Sequence, residues 1–111
     1  MGKRIAVDFD GTITNDSPYP IMGKLRKHCK EALDALTQHG YTITLWTCRT
    51  GFFLTEAIDF IMDNQLPINL PEPTNGKIEA DIYIDDRNPW RKEIDWQEIE
   101  RSILNDQDTE R

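Results

Sequence analysis

A β-branched apolar run that stops at paired acids constrains this chain more than any other feature. Ile5-Ala6-Val7 has the make-up of a strand buried on both faces, and Asp8-Phe9-Asp10-Gly11-Thr12 follows where burial must end. Because side chains alternate along a strand, Asp8 and Asp10 leave it on the same side, with Gly11 able to turn the chain behind them. Two such charges repel by about 4 kcal/mol at roughly 4 Å and an effective dielectric near ~20. The pair therefore calls for a cation, a proton or both, unless it is simply a strand end of solvated acids followed by a turn.

The rest of the chain repeats the pattern of a buried strand followed by polar residues. Ile13 to Gly23 is rich in turn formers and reads as a loop passing over the first strand. From Lys24 the spacing of Leu25, Cys29, Ala32, Leu33 and Leu36 predicts a helix that Gly40 ends. Tyr41 to Trp46 reads as a second strand and runs into Thr47-Cys48-Arg49-Thr50-Gly51. Phe52 to Asn64 resumes helical spacing through Leu54, Ala57, Ile58 and Ile61, and Pro67 stops it. Phe52 and Phe53 belong either to the core or to a hydrophobic rim beside the polar cluster. Ile68 to Leu70 is a brief third strand or a connector. Pro71 to Gly76 delivers Lys77, and the short strand Asp81 to Ile84 ends at Asp85-Asp86. A closing helix is expected within Trp90 to Leu104.

Strands and helices alternating over short connections predict an α/β fold, a three-layer sandwich with a parallel, Rossmann-like sheet covered on both faces. All strands then end at one edge, so Asp8/Asp10, Thr47 and Asp85/Asp86 are gathered in one crevice.

At 111 residues the chain has room for one domain, assigned to residues 1–104, with 105–111 expected to be a frayed, disordered polar tail. Acidic residues outnumber basic ones 20 to 13, for a net charge of -7, which argues against non-specific nucleic-acid binding. Cys29 and Cys48 lack the paired spacing of a zinc or redox site and read as free thiols, so a cytoplasmic location is expected. No run approaches the ~20 apolar residues of a membrane span, and the N-terminus lacks the apolar segment of a secretion signal. His28 and His39 read as surface or packing residues.

Taken together, Asp8-x-Asp10-Gly11-Thr12, Leu45-Trp46-Thr47, Lys77 and Ile84-Asp85-Asp86 resemble the four ordered motifs of the haloacid dehalogenase (HAD) superfamily of phosphotransferases and phosphatases. The resemblance implies a HAD-like core and a phosphohydrolase acting on a phosphomonoester through an aspartyl-phosphate intermediate. Asp8 would be the nucleophile and Asp10 the acid that protonates the leaving group, then the base that activates water. Thr47 and the Cys48 backbone N–H would bind a phosphoryl oxygen, and Lys77 would supply positive charge. Gly11 and Thr12 complete the implied substrate-binding set, and Arg49, Arg87 and Asn88, which flank the motifs, are candidates for contacting the non-reacting part of the substrate or a second phosphate. Mg²⁺ is the implied cofactor, held by Asp8, the Asp10 backbone carbonyl and the Asp85/Asp86 pair.

Neither interval between motifs, Gly11 to Trp46 or Cys48 to Gly76, is long enough for the cap domain that many members carry. An open crevice suits groups protruding from a large substrate, or a lid supplied by a second copy of the chain. The class of phosphorylated substrate is left open. So is the choice between hydrolysis, transfer to another hydroxyl and a non-catalytic, phosphate-binding regulatory role. A response-regulator receiver also places Asp, Thr and Lys around Mg²⁺, but its acid pair comes at the first strand and its lysine after the last. Here both orders are reversed.

Overall fold

A computed structural model describes residues 3–18, 20–70, 80–85 and 94–109 of the chain, with side chains as far as 105. It is a small α/β fold built on a parallel sheet. Strands β1 (Arg4–Val7), β2 (Thr42–Leu45) and β3 (Ile82–Ile84) alternate with helices α1 (Cys29–Gln38), α2 (Gly51–Asp63) and α3 (Trp96–Thr109). The strand order is β2-β1-β3. Val7 lies opposite Leu45 on one side and Ile84 on the other. The central strand is buried on both faces, with Ile5, Ala6 and Val7 all 0% exposed, as its composition predicts. Ile68–Leu70 amounts to a single parallel bridge between Asn69 and Thr44, which extends the sheet beyond β2.

That bridge explains where the helices go. The path from β1 to β2 and on to Asn69 moves twice in the same direction, so two right-handed crossovers place α1 and α2 on the same face. One apolar cluster accordingly joins the sheet residues Ile5, Val7, Ile43, Leu45 and Ile84 to Leu33 and Leu36 of α1, Ala57 and Ile61 of α2, and Trp96, Ile99 and Ile103 of α3. The expectation of helices on both faces is met on one face only among the described residues; 71–79 and 86–93 lie outside them. On the other face Ala6 sits between Thr44 and Tyr83, and the Trp46 and Tyr83 rings meet edge to face at 5.4 Å. A small residue at the centre of the sheet lets two aromatic rings from the flanking strands reach each other.

Two helix boundaries differ from the sequence expectation. Helix α1 begins at Cys29 and not at Lys24, because Leu25 pairs antiparallel with Thr14 and closes the preceding loop like a hairpin. The Arg26 N–H donates to the Ile13 carbonyl at 2.9 Å and the Asn15 N–H to the Lys24 carbonyl at 2.8 Å. The second bond occupies the Lys24 carbonyl, which an earlier helix start would need for its first turn. Helix α3 begins at Trp96, where the Asp95 carboxylate accepts from the Gln97 and Glu98 N–H groups at 3.1 and 3.2 Å. This is N-terminal capping by an acidic side chain. The helix then continues to Thr109, past residue 105, where the polar tail was expected to begin. No helix of the described residues is long and apolar enough to cross a membrane.

The hairpin-like closure depends on Gly23. A Cβ there would stand 2.5 Å from the Asn15 carbonyl oxygen and 2.7 Å from its side-chain oxygen. Backbone cannot move aside as a flexible side chain can, so Gly23→Ala should destabilise the chain by about 1–3 kcal/mol. A lowered urea midpoint would register it; an unchanged midpoint would contradict this packing.

Candidate functional site

The turn that follows β1 is assembled around one carbonyl. The N–H groups of Thr12, Ile13 and Thr14 all point to the Phe9 oxygen, at 3.2, 3.0 and 3.3 Å, while Gly11 adopts a φ of 78°. This left-handed step favours glycine and turns the chain back beneath the strand end. Two distant residues then fasten the turn. Arg26 donates from Nη2 to the Gly11 carbonyl at 2.8 Å and from Nε to the Thr14 carbonyl at 3.0 Å. The Trp96 indole N–H donates to the Thr12 carbonyl at 2.9 Å in a fully buried bond. Neither anchor was apparent from the sequence. Arg26 lies in a stretch that reads as helix, and nothing near Trp96 hints at a partner 84 residues away.

Asp8 and Asp85 occupy equivalent positions on neighbouring strands, each one residue beyond the Val7–Ile84 pair. The Asp8 N–H continues the ladder to the Ile84 carbonyl at 2.9 Å, and Trp46 continues it on the other side, donating to the Val7 carbonyl at 2.8 Å. Adjacent strands lie about 4.8 Å apart, so the two carboxylates start from backbone positions about that close. Thr12 Oγ1 donates to Asp8 Oδ2 at 3.2 Å, which sets the orientation of that carboxylate. Thr47 is half-buried, and its hydroxyl oxygen accepts from the Arg49 N–H at 3.1 Å in a tight local turn. Cys48 is exposed beside it.

The largest departure from expectation concerns Arg49. In place of facing outward toward a substrate, its side chain is 0% exposed and grips Asp10 with a two-pronged fork. Nε donates to Oδ2 at 2.7 Å and Nη2 to Oδ1 at 2.6 Å. Further bonds run from Nη2 to the Pro20 carbonyl at 3.2 Å and from Nη1 to the Phe53 carbonyl at 3.3 Å. The guanidinium lies 5.4 Å from the centroid of the Phe9 ring. Part of the positive charge that the paired acids call for thus comes from within the chain. The sequence offered Arg49 as a residue near the site, but not its partner 39 positions away.

Phe52 and Phe53 form a rim rather than core. They are 71% and 37% exposed and touch each other edge to face, and Ile21 is 62% exposed in the loop whose Pro20 carbonyl Arg49 binds. Cys29, by contrast, is buried in α1, and burial first, then the nearby Glu31, push its thiol up to about 12 despite Arg26. It therefore stays protonated and chemically inert at neutral pH.

A solved structure described as a conserved protein coded by a locus of Bacteroides thetaiotaomicron superposes on this chain with a TM-score of 0.82. The sequences are 34% identical over 96% of this chain and 93% of that one. This chain belongs to the same family as that Bacteroides protein. No protein-family model and no curated protein matches it. The shared framework takes in nearly the whole chain.

Several expected site residues lie outside the described residues: Lys77, Asp86, Arg87 and Asn88. Among the described residues no group of three or more His, Cys, Asp or Glu side chains stands close enough to hold a metal ion. The donors that are described, Asp8 and Asp85 with the backbone carbonyl of Asp10, offer oxygen only. Such a set suits a hard divalent cation like Mg²⁺, which is commonly bound through one or two carboxylates with water completing its shell.

Proposed function

We propose that the protein is a capless, HAD-like phosphohydrolase that cleaves phosphomonoesters through an aspartyl phosphate on Asp8. The observation that carries this reading is the alignment of Asp8 and Asp85 at neighbouring strand ends, with Thr12 bonded to Asp8 and with Asp10, two residues on from Asp8, gripped by Arg49. The motif order in the sequence and the open carboxyl edge of a parallel sheet support it. On the same reading the α/β framework is a HAD-like core.

The chemistry follows from what each group can do. An Asp8 carboxylate oxygen attacks phosphorus in line with the leaving oxygen, which departs with the proton that Asp10 gives it. Asp10, now ionised, takes a proton from water, and the resulting hydroxide attacks the phosphorus of the aspartyl phosphate. This breaks the bond to the Asp8 oxygen, releases phosphate and returns both carboxyl groups to their starting states. Thr47 accepts from the Arg49 N–H through its oxygen, which leaves its proton to donate to a phosphoryl oxygen. Asp8, the Asp10 carbonyl, Asp85 and Asp86 would hold Mg²⁺, which when bound neutralises charge on the transferring group. Lys77 would contribute to that neutralisation.

The test is hydrolysis of p-nitrophenyl phosphate by the purified chain. Turnover that stops with EDTA and returns with added MgCl₂ is expected. Turnover indifferent to chelation would remove the metal from the reading. No turnover on this ester or on a panel of phosphorylated sugars, nucleotides, peptides and nucleic-acid ends would remove the enzyme.

A further inference from the structure

A buried arginine must have its donors met, and Arg49 meets them inside the protein. Its fork takes both oxygens of Asp10, and further bonds end on the Pro20 and Phe53 carbonyls. With the side chain 0% exposed, contact with a substrate would require giving up bonds already made. Asp10, whose side chain is 31% exposed, would without the fork be able to turn into solvent. We propose that Arg49 is the positioning residue for Asp10, acting on the reaction through that carboxylate and not by touching the phosphoryl group. This rests on the phosphatase reading above.

A planar fork suits the task because two parallel bonds set both direction and roll of the carboxylate, which a single ammonium charge cannot do. It also ties Asp10 to two other segments. Pro20 belongs to the loop after β1 and Phe53 to the first turn of α2, so the placement of both is transmitted to Asp10 through one guanidinium. During the acid step one Asp10 oxygen carries the proton that passes to the leaving oxygen. While protonated that oxygen is a weaker acceptor, so its bond from Arg49 loses its charge-assisted strength and regains it once the proton has left. Arg49 thus follows the proton without exchanging one.

The distinguishing measurement is kcat/KM on two esters of similar shape, phenyl phosphate and p-nitrophenyl phosphate. The first needs a proton on its leaving oxygen far more than the second. Arg49→Met should lose about a hundredfold on phenyl phosphate and less than about fivefold on p-nitrophenyl phosphate, in keeping with the usual worth of general-acid catalysis. In an Asp10→Asn background the same change should add nothing, because residues acting as one unit are non-additive. Arg49→Lys, which keeps the charge but not the fork, should show a smaller loss of the same selectivity and covers the case in which the methionine variant does not fold. Inhibition by inorganic phosphate should be unchanged in both variants. Equal losses on the two esters, additivity with Asp10→Asn or weakened phosphate inhibition would each overturn the assignment in favour of a substrate contact or a merely structural role. A wild type that turns over neither these esters nor any member of the substrate panel above overturns the phosphatase reading, and this assignment with it.

Discussion

Asp8→Asn is expected to abolish turnover while leaving the fold intact. The substitution keeps the shape of the side chain and replaces a carboxylate oxygen with an amide, which cannot form a stable acyl phosphate. A loss of at least about a thousandfold in kcat, or ~4 kcal/mol of transition-state stabilisation, is the minimum for removing the nucleophile. Stability should move by less than about 1 kcal/mol. The reason is that the Asp8 N–H remains in the ladder to Ile84, and an asparagine carbonyl can still accept from Thr12 Oγ1. Steady-state kinetics on p-nitrophenyl phosphate, acid-quench trapping of the phosphorylated chain and a urea melt together check all three parts. Retention of a tenth or more of wild-type turnover would assign the attack to another group.

Trp96→Ala should cost more stability than any other single change considered. Trp96 is 1% exposed in the cluster that joins α3 to the sheet, and truncating a buried tryptophan costs about 3–5 kcal/mol in lost packing. The same change strips the Thr12 carbonyl of its indole donor in a buried setting, which adds roughly 1–3 kcal/mol. Against a typical total of about 5–15 kcal/mol, the variant should be partly or wholly unfolded at 37 °C. Trp96→Phe separates the two contributions. It retains most of the apolar surface and loses the N–H, so a drop of about 1–3 kcal/mol is expected. Urea denaturation followed by circular dichroism measures both. A midpoint for Trp96→Ala within error of the wild type would show that α3 does not anchor the turn after β1.

How much of this was legible beforehand depends on the range of the signal. The strand Ile5–Val7 and the acids behind it were readable because burial, alternation and the turn at Gly11 all act within a few residues. Helix α2 runs from Gly51 to Asp63, within one residue of its expected limits, since its apolar spacing meets no competitor. Helix α1 was misjudged at its start because Leu25 satisfies a helical stripe and a hairpin bridge equally well in one dimension. The bridge prevails because Gly23 permits a close approach to Asn15 that no spacing rule detects. In α3 a single aspartate at position 95 caps the helix just before Trp96, inside the stretch where a closing helix is expected, and it is the far end, at Thr109, that outruns the apolar pattern. The same limit applies to Phe52 and Phe53, which are apolar enough for a core but fall where the helix leaves the sheet.

The candidate site divides along the same line. The sequence by itself determined which acids stand at the carboxyl edge, because alternation along a strand and the parallel order of βα units are local rules that leave Asp8 and Asp85 little choice. Only the tertiary structure decided that Asp10 is gripped by Arg49, that Arg26 and Trp96 fasten the turn, and that the described helices share one face. These depend on closing loops of 39 and 84 residues, as the Arg49 and Trp96 bonds do, and on where the Asn69 bridge sends the second crossover. A buried guanidinium and a buried carbonyl must each find a partner, but which one they find is set by three-dimensional proximity, and chain order carries no record of it.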